Sequence, residues 1–214
     1  MFEIVDACRI CKSGELLEVL NLGFQPPANH LRRPSEVAPD AVPLDLRLCA
    51  GCETAQITAT IDPEVLFGTY LWVTGTSAGT RAYSAAFVEW VEAIPGLREP
   101  VGDGDRRSVI EVASNDGTFL RRFSQRGWAI LGVEPAGNIA DQANADGVPT
   151  LPKFFSVDVA QSIVTDQGHA DVVVARNVLP HVAEVHSVIE GLAITAGEDG
   201  VVVIEAHDAQ VILD

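Results

Sequence analysis

The sequence predicts an α/β protein in which a small metal-binding module precedes a parallel sheet with helices on both faces. Two observations lead to this fold class. Four cysteines form two Cys-x-x-Cys pairs near the amino terminus, and strand-like and helix-like patterns alternate strictly after residue 106. We therefore expect a zinc-binding module over residues 1–61, a helical connector and linker over 62–105, and the sheet over 106–214.

The four cysteines, Cys8, Cys11, Cys49 and Cys52, leave none over. The amino terminus has neither the basic nor the apolar region of a secretion signal, so we expect a cytoplasmic protein, in which disulfides are rare. Two closely spaced pairs separated by a long insert are typical of a tetrahedral zinc site. Four thiolates fill its coordination, so the predicted zinc is structural.

Local patterns predict short elements within the module and the connector. Glycine and proline over 23–30 predict a loop, and the pattern over 56–61 predicts a strand. Asp62 followed by proline is typical of a helix amino terminus. Apolar residues at helical spacing predict a longer helix over 82–94.

The second half of the chain alternates between strand and helix patterns. A run of valines in the fourth predicted strand is typical of a strand buried on both faces. Such alternation predicts a doubly wound parallel sheet. The predicted strands cover 108–113, 129–134, 148–151, 170–175 and 200–205, and the predicted helices 118–126, 138–145, 157–166 and 182–196.

Composition argues against several classes of protein. Apolar residues make up 47% of the chain and the mean hydropathy is +0.20, which indicates a globular protein with a core. The net charge is −16 and no large Lys/Arg cluster is present, so neither nucleic acid nor an anionic membrane surface is expected as a partner. The apolar runs are far shorter than the roughly 20 residues of a membrane-spanning helix.

The turn after the first strand of the predicted sheet carries the most informative motif. It reads Glu111-Val-Ala-Ser114-Asn115-Asp116-Gly117 and follows the carboxyl end of the strand, where open α/β sheets bind ligands. Its acidic residues would repel a pyrophosphate but suit the ammonium group of a methionine moiety. Gly117 lets the backbone approach a ligand. The pattern favours S-adenosylmethionine over a nicotinamide dinucleotide, whose turn reads Gly-x-Gly-x-x-Gly.

The ends of the later strands supply further candidates for the same site. Glu134, in Gly-Val-Glu-Pro135, follows Asp116 by 18 residues, a spacing at which an acid binds ribose hydroxyls in dinucleotide folds. Phe154 could wall the adenine ring, and Asn177 would line the site beside the methyl donor. Alternatives stay open, because strand-end acids can be ordinary surface residues and one member of the phenylalanine pair suits the core better than a ligand wall.

With these motifs the chain resembles the sugar C-methyltransferases of deoxysugar and antibiotic biosynthesis. The matching segments are Cys8-x-x-Cys11, Leu22-Gly-x-Gln25-Pro, Pro43-Leu-x-Leu, Cys49-x-x-Cys52, Glu111-x-x-Ser-Asn-Asp-Gly117, Gly132-Val-Glu-Pro135 and Asn177-Val-Leu-x-His181. The resemblance implies a Rossmann-like class I methyltransferase sheet after a zinc-binding domain. It also implies methyl transfer from S-adenosylmethionine to a carbon of a nucleotide-linked keto-sugar.

The resemblance further implies catalytic positions for two residues. His181 would lie near the reacting centre, where it could orient the sugar or shuttle a proton, and Tyr70 belongs to an aromatic segment that approaches it. The alternatives are a solvent-exposed residue in a helical turn for His181 and a packing residue between modules for Tyr70.

The chain departs from the family in two respects. Trp72 stands where the family tends to have a second tyrosine, and the chain ends at Asp214, before the family's Tyr-His-Glu-His segment and second α/β domain. We therefore expect a sheet that is incomplete at its carboxyl-terminal edge, with an apolar fifth strand that a partner chain or a dimer contact would cover. On this expectation the chain alone binds S-adenosylmethionine but does not methylate a sugar.

Two alternatives to C-methyl transfer remain from the sequence. The chain could be a non-catalytic module that binds zinc and a nucleoside and docks a partner. It could also be a class I methyltransferase with an oxygen or nitrogen acceptor. Binding of S-adenosylmethionine tests the first alternative, and the position of the transferred methyl group tests the second.

Overall fold

The computed structural model describes residues 2–28 and 31–208 and divides into two compact units. The first unit extends to Leu71 and includes residues 183–185, and the second comprises the chain from Trp72 onward without those three residues. The predicted connector over 62–105 is thereby divided between the two units. Its long helix, Ala78–Glu92, belongs to the second.

The first unit consists of short antiparallel strands and one short helix. A three-stranded sheet has the order β2-β3-β4, and β1 pairs with β5. The helix α1 begins as predicted, with the Asp62 side chain accepting the N–H of Glu64 and proline at its first position. The elements are β1 (Phe2–Ile4), β2 (Leu16–Gln25), β3 (Val42–Cys49), β4 (Ala55–Ile57), β5 (Ala59–Ile61) and α1 (Pro63–Phe67).

Two local predictions for this unit were wrong. The strand expected over 56–61 is two strands, because the backbone of Thr58 leaves the ladder to bond with Asp45 and Val5. The loop expected over 23–30 begins later, because β2 continues to Gln25 through an irregular stretch of pairing with β3. Glycine and proline predict a turn locally, but pairing with β3 holds the first three residues of this range, 23–25, in the sheet.

The second unit contains a five-stranded parallel sheet in the order β10-β9-β6-β7-β8, which confirms the predicted doubly wound α/β class. Its strands are β6 (Ser108–Val112), β7 (Ala129–Val133), β8 (Thr150–Leu151), β9 (Val172–Arg176) and β10 (Val201–Glu205). Its helices are α2 (Ala78–Glu92), α3 (Thr118–Gln125), α4 (Gly137–Ala145), α5 (Val157–Gln167) and α6 (Val185–Ala196), with 3-10 turns at Thr74–Thr76 and Leu179–His181.

Two elements of this unit differ from their predicted bounds. The helix expected from residue 182 begins at Val185, because residues 179–181 form a separate 3-10 turn that contains Pro180. The third strand of the sheet shrinks to Thr150–Leu151. Within the described residues β10 pairs with β9 alone, and Ile204 is 49% exposed. That a partner chain or a dimer contact covers β10 stays a prediction.

The sheet has an apolar core on each face. One core joins α2 and α3 to the sheet through edge-to-face aromatic contacts among Phe87, Phe119 and Phe123. The other joins α5 and α6 to the sheet through Ile163 and Leu192. Because β9 returns to the opposite side of β6 from β7, the carboxyl ends of β6 and β9 flank the point where the strand order reverses. Ligands of such sheets bind at this point.

None of the described helices combines the length and the hydropathy needed to cross a lipid bilayer.

Candidate metal centre and ligand site

The four cysteines converge in the first unit. Their Sγ atoms all lie within 4.8 Å of one another, with 3.6 Å between Cys8 and Cys52 and 3.5 Å between Cys11 and Cys49. These separations are too long for disulfides. They are close to the sulfur–sulfur edge of about 3.8 Å that a tetrahedron with zinc–sulfur bonds of 2.3 Å requires.

The two Cys-x-x-Cys turns have the same backbone geometry. In the first, the N–H of Lys12 donates to the carbonyl of Cys8, and in the second the N–H of Glu53 donates to the carbonyl of Cys49. Lys12 and Glu53 both adopt the left-handed conformation, with φ of 64° and 60°. Two equivalent tight turns therefore present two sulfurs each, which is the arrangement of a four-thiolate metal site.

Hydrogen bonds within the cluster shift the pKa values of three thiols in different directions. Hydrogen bonding to Thr54 lowers the pKa of Cys52 to about 6, and the backbone N–H of Cys11 lowers the pKa of Cys8. The pKa of Cys11 shifts in the opposite direction. The backbone of Ser13 lowers it, but hydrogen bonding with the neighbouring thiols outweighs this effect and raises the pKa to about 12. Four thiolates this close repel one another unless a cation lies between them.

A second site lies in the other unit, at the carboxyl ends of β6, β7 and β9. Three residues there that are not glycine adopt the left-handed region: Ala113 and Asn115 after β6, and Asn177 after β9. This conformation is costly for such residues and occurs often at ligand sites. Gly117 is also left-handed, and a Cβ there would lie 2.6 Å from Val148 Cγ1. Conformation and packing against Val148 thus account for this glycine without a ligand.

Glu134 joins two loops of this site. Its Oε2 accepts the N–H of Asn115 and its Oε1 accepts the N–H of Ala136, both at 2.9 Å, while the residue is only 6% exposed. Burial raises the pKa of Glu134, and the two N–H groups oppose this rise. A carboxylate fixed by two backbone donors keeps further lone pairs for hydroxyl groups of a ligand.

The side chains of Asn115 and Asp116 hold a neighbouring segment, residues 72–76. Asn115 Oδ1 accepts the N–H of Thr74 at 2.8 Å, and Asp116 Oδ2 accepts the N–H of Gly75 at 3.1 Å. A Cβ at residue 75 would lie 2.5 Å from Asp116 Oδ2, so only glycine allows this approach. Asp116 also accepts the N–H of Thr118 at the start of α3. Both side chains thus order the turn in addition to lying at the site.

Glu111 forms a buried ion pair that the sequence did not reveal. Arg176, at the end of β9, donates from Nε and Nη2 to Glu111 Oε1 at 2.9 and 2.7 Å. The guanidinium carbon lies 3.2 Å from the centre of the Phe119 ring. Burial raises the pKa of Glu111, and the Arg176 charge opposes the rise. The sequence offers one signal for this ion pair, because Arg176 ends a valine-rich strand. A charged residue so close to the core needs a partner of opposite charge.

Two buried polar atoms of the site have no hydrogen-bond partner among the described residues. They are Oε2 of Glu111 and Oγ of Ser114. Buried polar atoms are almost always paired in folded proteins. Unpaired acceptors at the ligand edge of the sheet are therefore consistent with a ligand that carries hydrogen-bond donors.

Asn177 is held by a pair of residues that sequence reasoning also missed. Glu205, at the end of β10, accepts the side-chain amide of Asn177 at 2.8 Å and the Tyr83 hydroxyl at 2.6 Å. Burial and the bond to Glu205 raise the pKa of Tyr83 to about 12, so its hydroxyl stays protonated. Tyr83, Asn177 and Glu205 are far apart in the sequence, so no local pattern predicts their hydrogen bonds.

The remaining predicted site residues occupy varied positions. His181 is exposed at the end of the 3-10 turn after β9. Phe154 and Pro135 are half-buried, and Phe155 packs against the core beside α6, in line with the alternative that one phenylalanine belongs to the core. Tyr70 belongs to the first unit, where its ring lies 6.2 Å from that of Phe67.

Open cavities of the second unit lie away from this site. One of about 660 Å³ lies at the amino-terminal ends of β6 and β9 and is lined by Arg98, Ser108 and Asp171. Asp171 accepts hydrogen bonds from both of the other residues. Another, of about 490 Å³, runs along β10 beside Trp90. An ion-pair network lines the first cavity, at the opposite end of the strands from the ligand edge of such sheets, so the carboxyl edge remains the better candidate for the ligand.

Comparison with known proteins gives matches for both units. Residues 8–67 match a family model described as "Putative zinc binding domain", and residues 84–214 match one described as "Methyltransferase domain", which covers more than half of the chain. The C-methyltransferase NovU of Streptomyces niveus is 32% identical over 203 residues, or 94% of this chain and 47% of NovU. The chain thus spans about half the length of this curated relative.

One solved structure matches in fold with a TM-score of 0.50, and another match falls just below that value. The PH0226 protein from Pyrococcus horikoshii OT3 has a TM-score of 0.50 at 14% identity, over 71% of this chain and 62% of that protein. The plantazolicin methyltransferase BpumL, solved with SAH, has a TM-score of 0.49 at 12% identity, over 65% and 51%. The family match and the strand order confirm the predicted Rossmann-like class I methyltransferase sheet after a small zinc-binding module.

Proposed function

The chain belongs to the family of methyltransferase domains, and from this premise we propose that it binds S-adenosylmethionine as part of a C-methyltransferase. The proposed acceptor is a nucleotide-linked keto-deoxysugar. The observation that carries the donor site is the convergence of three buried acids, Glu111, Asp116 and Glu134, at the carboxyl ends of β6 and β7. Buried acids in this number favour a ligand that is cationic and rich in hydroxyl groups.

Each residue of the proposed S-adenosylmethionine site has a proposed task. Glu134 accepts the two ribose hydroxyls, for which its fixed carboxylate retains lone pairs. Asp116 and the unpaired oxygen of Glu111 favour the positively charged end of the methionine moiety. Phe154 walls the adenine, and Asn177, locked by Glu205, lines the site beside the transferred methyl group. Ser114, Asn115, Gly117 and Pro135 shape the two turns.

The bound S-adenosylmethionine would supply the methyl group as an electrophile. The chain's own task is to orient the acceptor and manage one proton, because a carbon becomes nucleophilic only after a proton next to the ketone is removed. We assign this task to His181, whose position after β9 is close in sequence to Asn177. The zinc is structural, since four cysteines leave no position for a substrate.

The carbon acceptor is supported by the name and the 32% identity of NovU, a C-methyltransferase. A methyl-transfer assay tests it with the protein encoded by the complete gene, a dTDP-linked keto-sugar and a donor labelled with ¹³C in its methyl group. A carbon-bound methyl product, identified by its ¹³C shift and long-range couplings, is expected. A methyl on oxygen or nitrogen would favour the alternative acceptor class, and bound donor without transfer would favour a non-catalytic module.

Proton exchange separates the role of His181 from that of the donor site. In deuterated water without donor, the protein should exchange the sugar proton next to the ketone, and His181→Ala should slow that exchange. Glu134→Gln should lower the rate of methyl transfer at subsaturating S-adenosylmethionine but leave the exchange intact. Glu190→Gln, an exposed change on α6, is the matched control and should alter neither. Unchanged exchange in His181→Ala would remove this residue from the proposal.

A further inference from the structure

Arg176 is a largely buried cation at a site dominated by acids. Its side chain is 11% exposed and lies at the end of β9, beside the reversal in strand order between β6 and β9. One edge of the guanidinium, Nε and Nη2, is fully used by a single oxygen of Glu111. Nη1 makes no hydrogen bond within the described part of the chain. The edge formed by Nη1 and Nη2 is therefore left for a second acceptor.

The orientation of this free edge is fixed by packing. The guanidinium carbon lies 3.2 Å from the centre of the Phe119 ring and 5.6 Å from that of Phe87. Both rings belong to the apolar core, where Phe119 is 1% exposed. Stacking on an aromatic face and a bond along one edge leave the guanidinium little freedom to turn. Such a preorganised planar fork is suited to a carboxylate.

The charges of S-adenosylmethionine require a cationic group at the site. At neutral pH the amino-acid end of S-adenosylmethionine carries an ammonium and a carboxylate besides the sulfonium. The acids of the site favour the two cationic groups but repel the carboxylate. Arg121, the other cation bonded to these acids, already pairs with Asp116 and Asp146 and is 33% exposed. Arg176 is thus the better placed counter-ion.

We infer that Arg176 binds the α-carboxylate of S-adenosylmethionine through the edge formed by Nη1 and Nη2, and that Glu111 holds the guanidinium in place for this contact. The inference rests on the proposed donor site and deepens it. It makes the site selective for a donor that retains its carboxylate. A site that recognised only the nucleoside and the sulfonium would accept the decarboxylated form equally well.

Calorimetric titration of the wild-type chain with S-adenosylmethionine and with decarboxylated S-adenosylmethionine tests this selectivity without any substitution. A charged hydrogen-bonded contact predicts that the carboxylated form binds about 10-fold or more tightly. Arg176→Gln should remove this preference by weakening the binding of S-adenosylmethionine while leaving that of the decarboxylated form unchanged. Arg126→Gln, which changes an exposed arginine after α3, should keep the wild-type preference.

Removing Arg176 alone leaves Glu111 buried without its partner and can unfold the chain. The double variant Glu111→Gln/Arg176→Gln removes both charges and should also lose the preference. Equal affinity of the wild type for the two ligands would overturn the inference while leaving the donor site intact. Equal weakening of both ligands by Arg176→Gln would also overturn it, since a purely structural role has that effect. Failure of the wild type to bind either ligand would overturn the donor site itself.

Discussion

Glu134→Gln is the substitution that probes the donor site most directly. The carboxylate of Glu134 accepts two backbone N–H groups, from Asn115 and Ala136, one on each oxygen. A glutamine of nearly the same size has one accepting oxygen, so its amide nitrogen would face the second N–H. One buried donor is then unpaired, which costs about 1–3 kcal/mol of unfolding free energy. Urea denaturation measures this loss.

The same substitution should weaken the donor site further. We propose that Glu134 also accepts two ribose hydroxyls, and a hydrogen bond to a charged acceptor contributes about 1.5–3 kcal/mol. Loss of one such bond predicts an affinity for S-adenosylhomocysteine that is about 10- to 100-fold weaker. Calorimetry below the unfolding transition measures it. Glu134→Asp, which keeps the charge, should lose less affinity, and Glu190→Gln should lose none.

The reasoning fails if folded Glu134→Gln binds S-adenosylhomocysteine with wild-type affinity, because Glu134 would then only bridge the two turns. An analogue without the ribose hydroxyls gives an independent check. Its affinity should be weak for the wild type and insensitive to Glu134→Gln. Equal sensitivity of both ligands would assign the effect to a displaced turn.

Burial raises the pKa of Glu134 above the ordinary glutamate value of 4.5, so as the pH falls this carboxylate takes up a proton before 4.5 is reached. The protonated form donates where the ribose hydroxyls need an acceptor, so binding of S-adenosylhomocysteine should already weaken above pH 4.5. Titrations over a pH series measure this, and constant affinity down to pH 4.5 would contradict it. Metal analysis should find one zinc per chain, and less in Cys49→Ser; full zinc content in that variant would exclude a four-cysteine site. Gly75→Ala places a Cβ 2.5 Å from Asp116 Oδ2 and should cost about 1–3 kcal/mol of unfolding free energy. Half-buried Gly137→Ala, whose added Cβ has no neighbour within 4 Å, should not have this cost.

Much of the sheet could be predicted because its signals are local. Strand and helix patterns alternate along the chain, and the carboxyl ends of parallel strands lie at one edge wherever each strand falls in the order. Glu111 and Glu134 could therefore be placed together from their positions at two strand ends, although they are 23 residues apart in the sequence. The cysteine pairs were as direct, because two short turns must each present two sulfurs.

Bounds that depend on distant partners could not be predicted. The strand expected over 56–61 divides because Thr58 bonds with Asp45 and Val5, and β2 extends through a glycine because β3 lies beside it. The helix expected from residue 182 starts three residues later, after a turn containing proline. In each case a local preference competed with a tertiary hydrogen bond or with proline geometry.

The sequence by itself determined which residue types stand at the strand ends and in the cysteine turns, because a period and a spacing need no knowledge of neighbours. Only the tertiary structure decided what those residues contact. Arg176 meets Glu111 across 65 positions because β9 lies next to β6 in the sheet. Asn177 meets Glu205 because β10 lies next to β9. Strand order follows from how helices pack on the two faces of the sheet, and no local pattern in the chain encodes it.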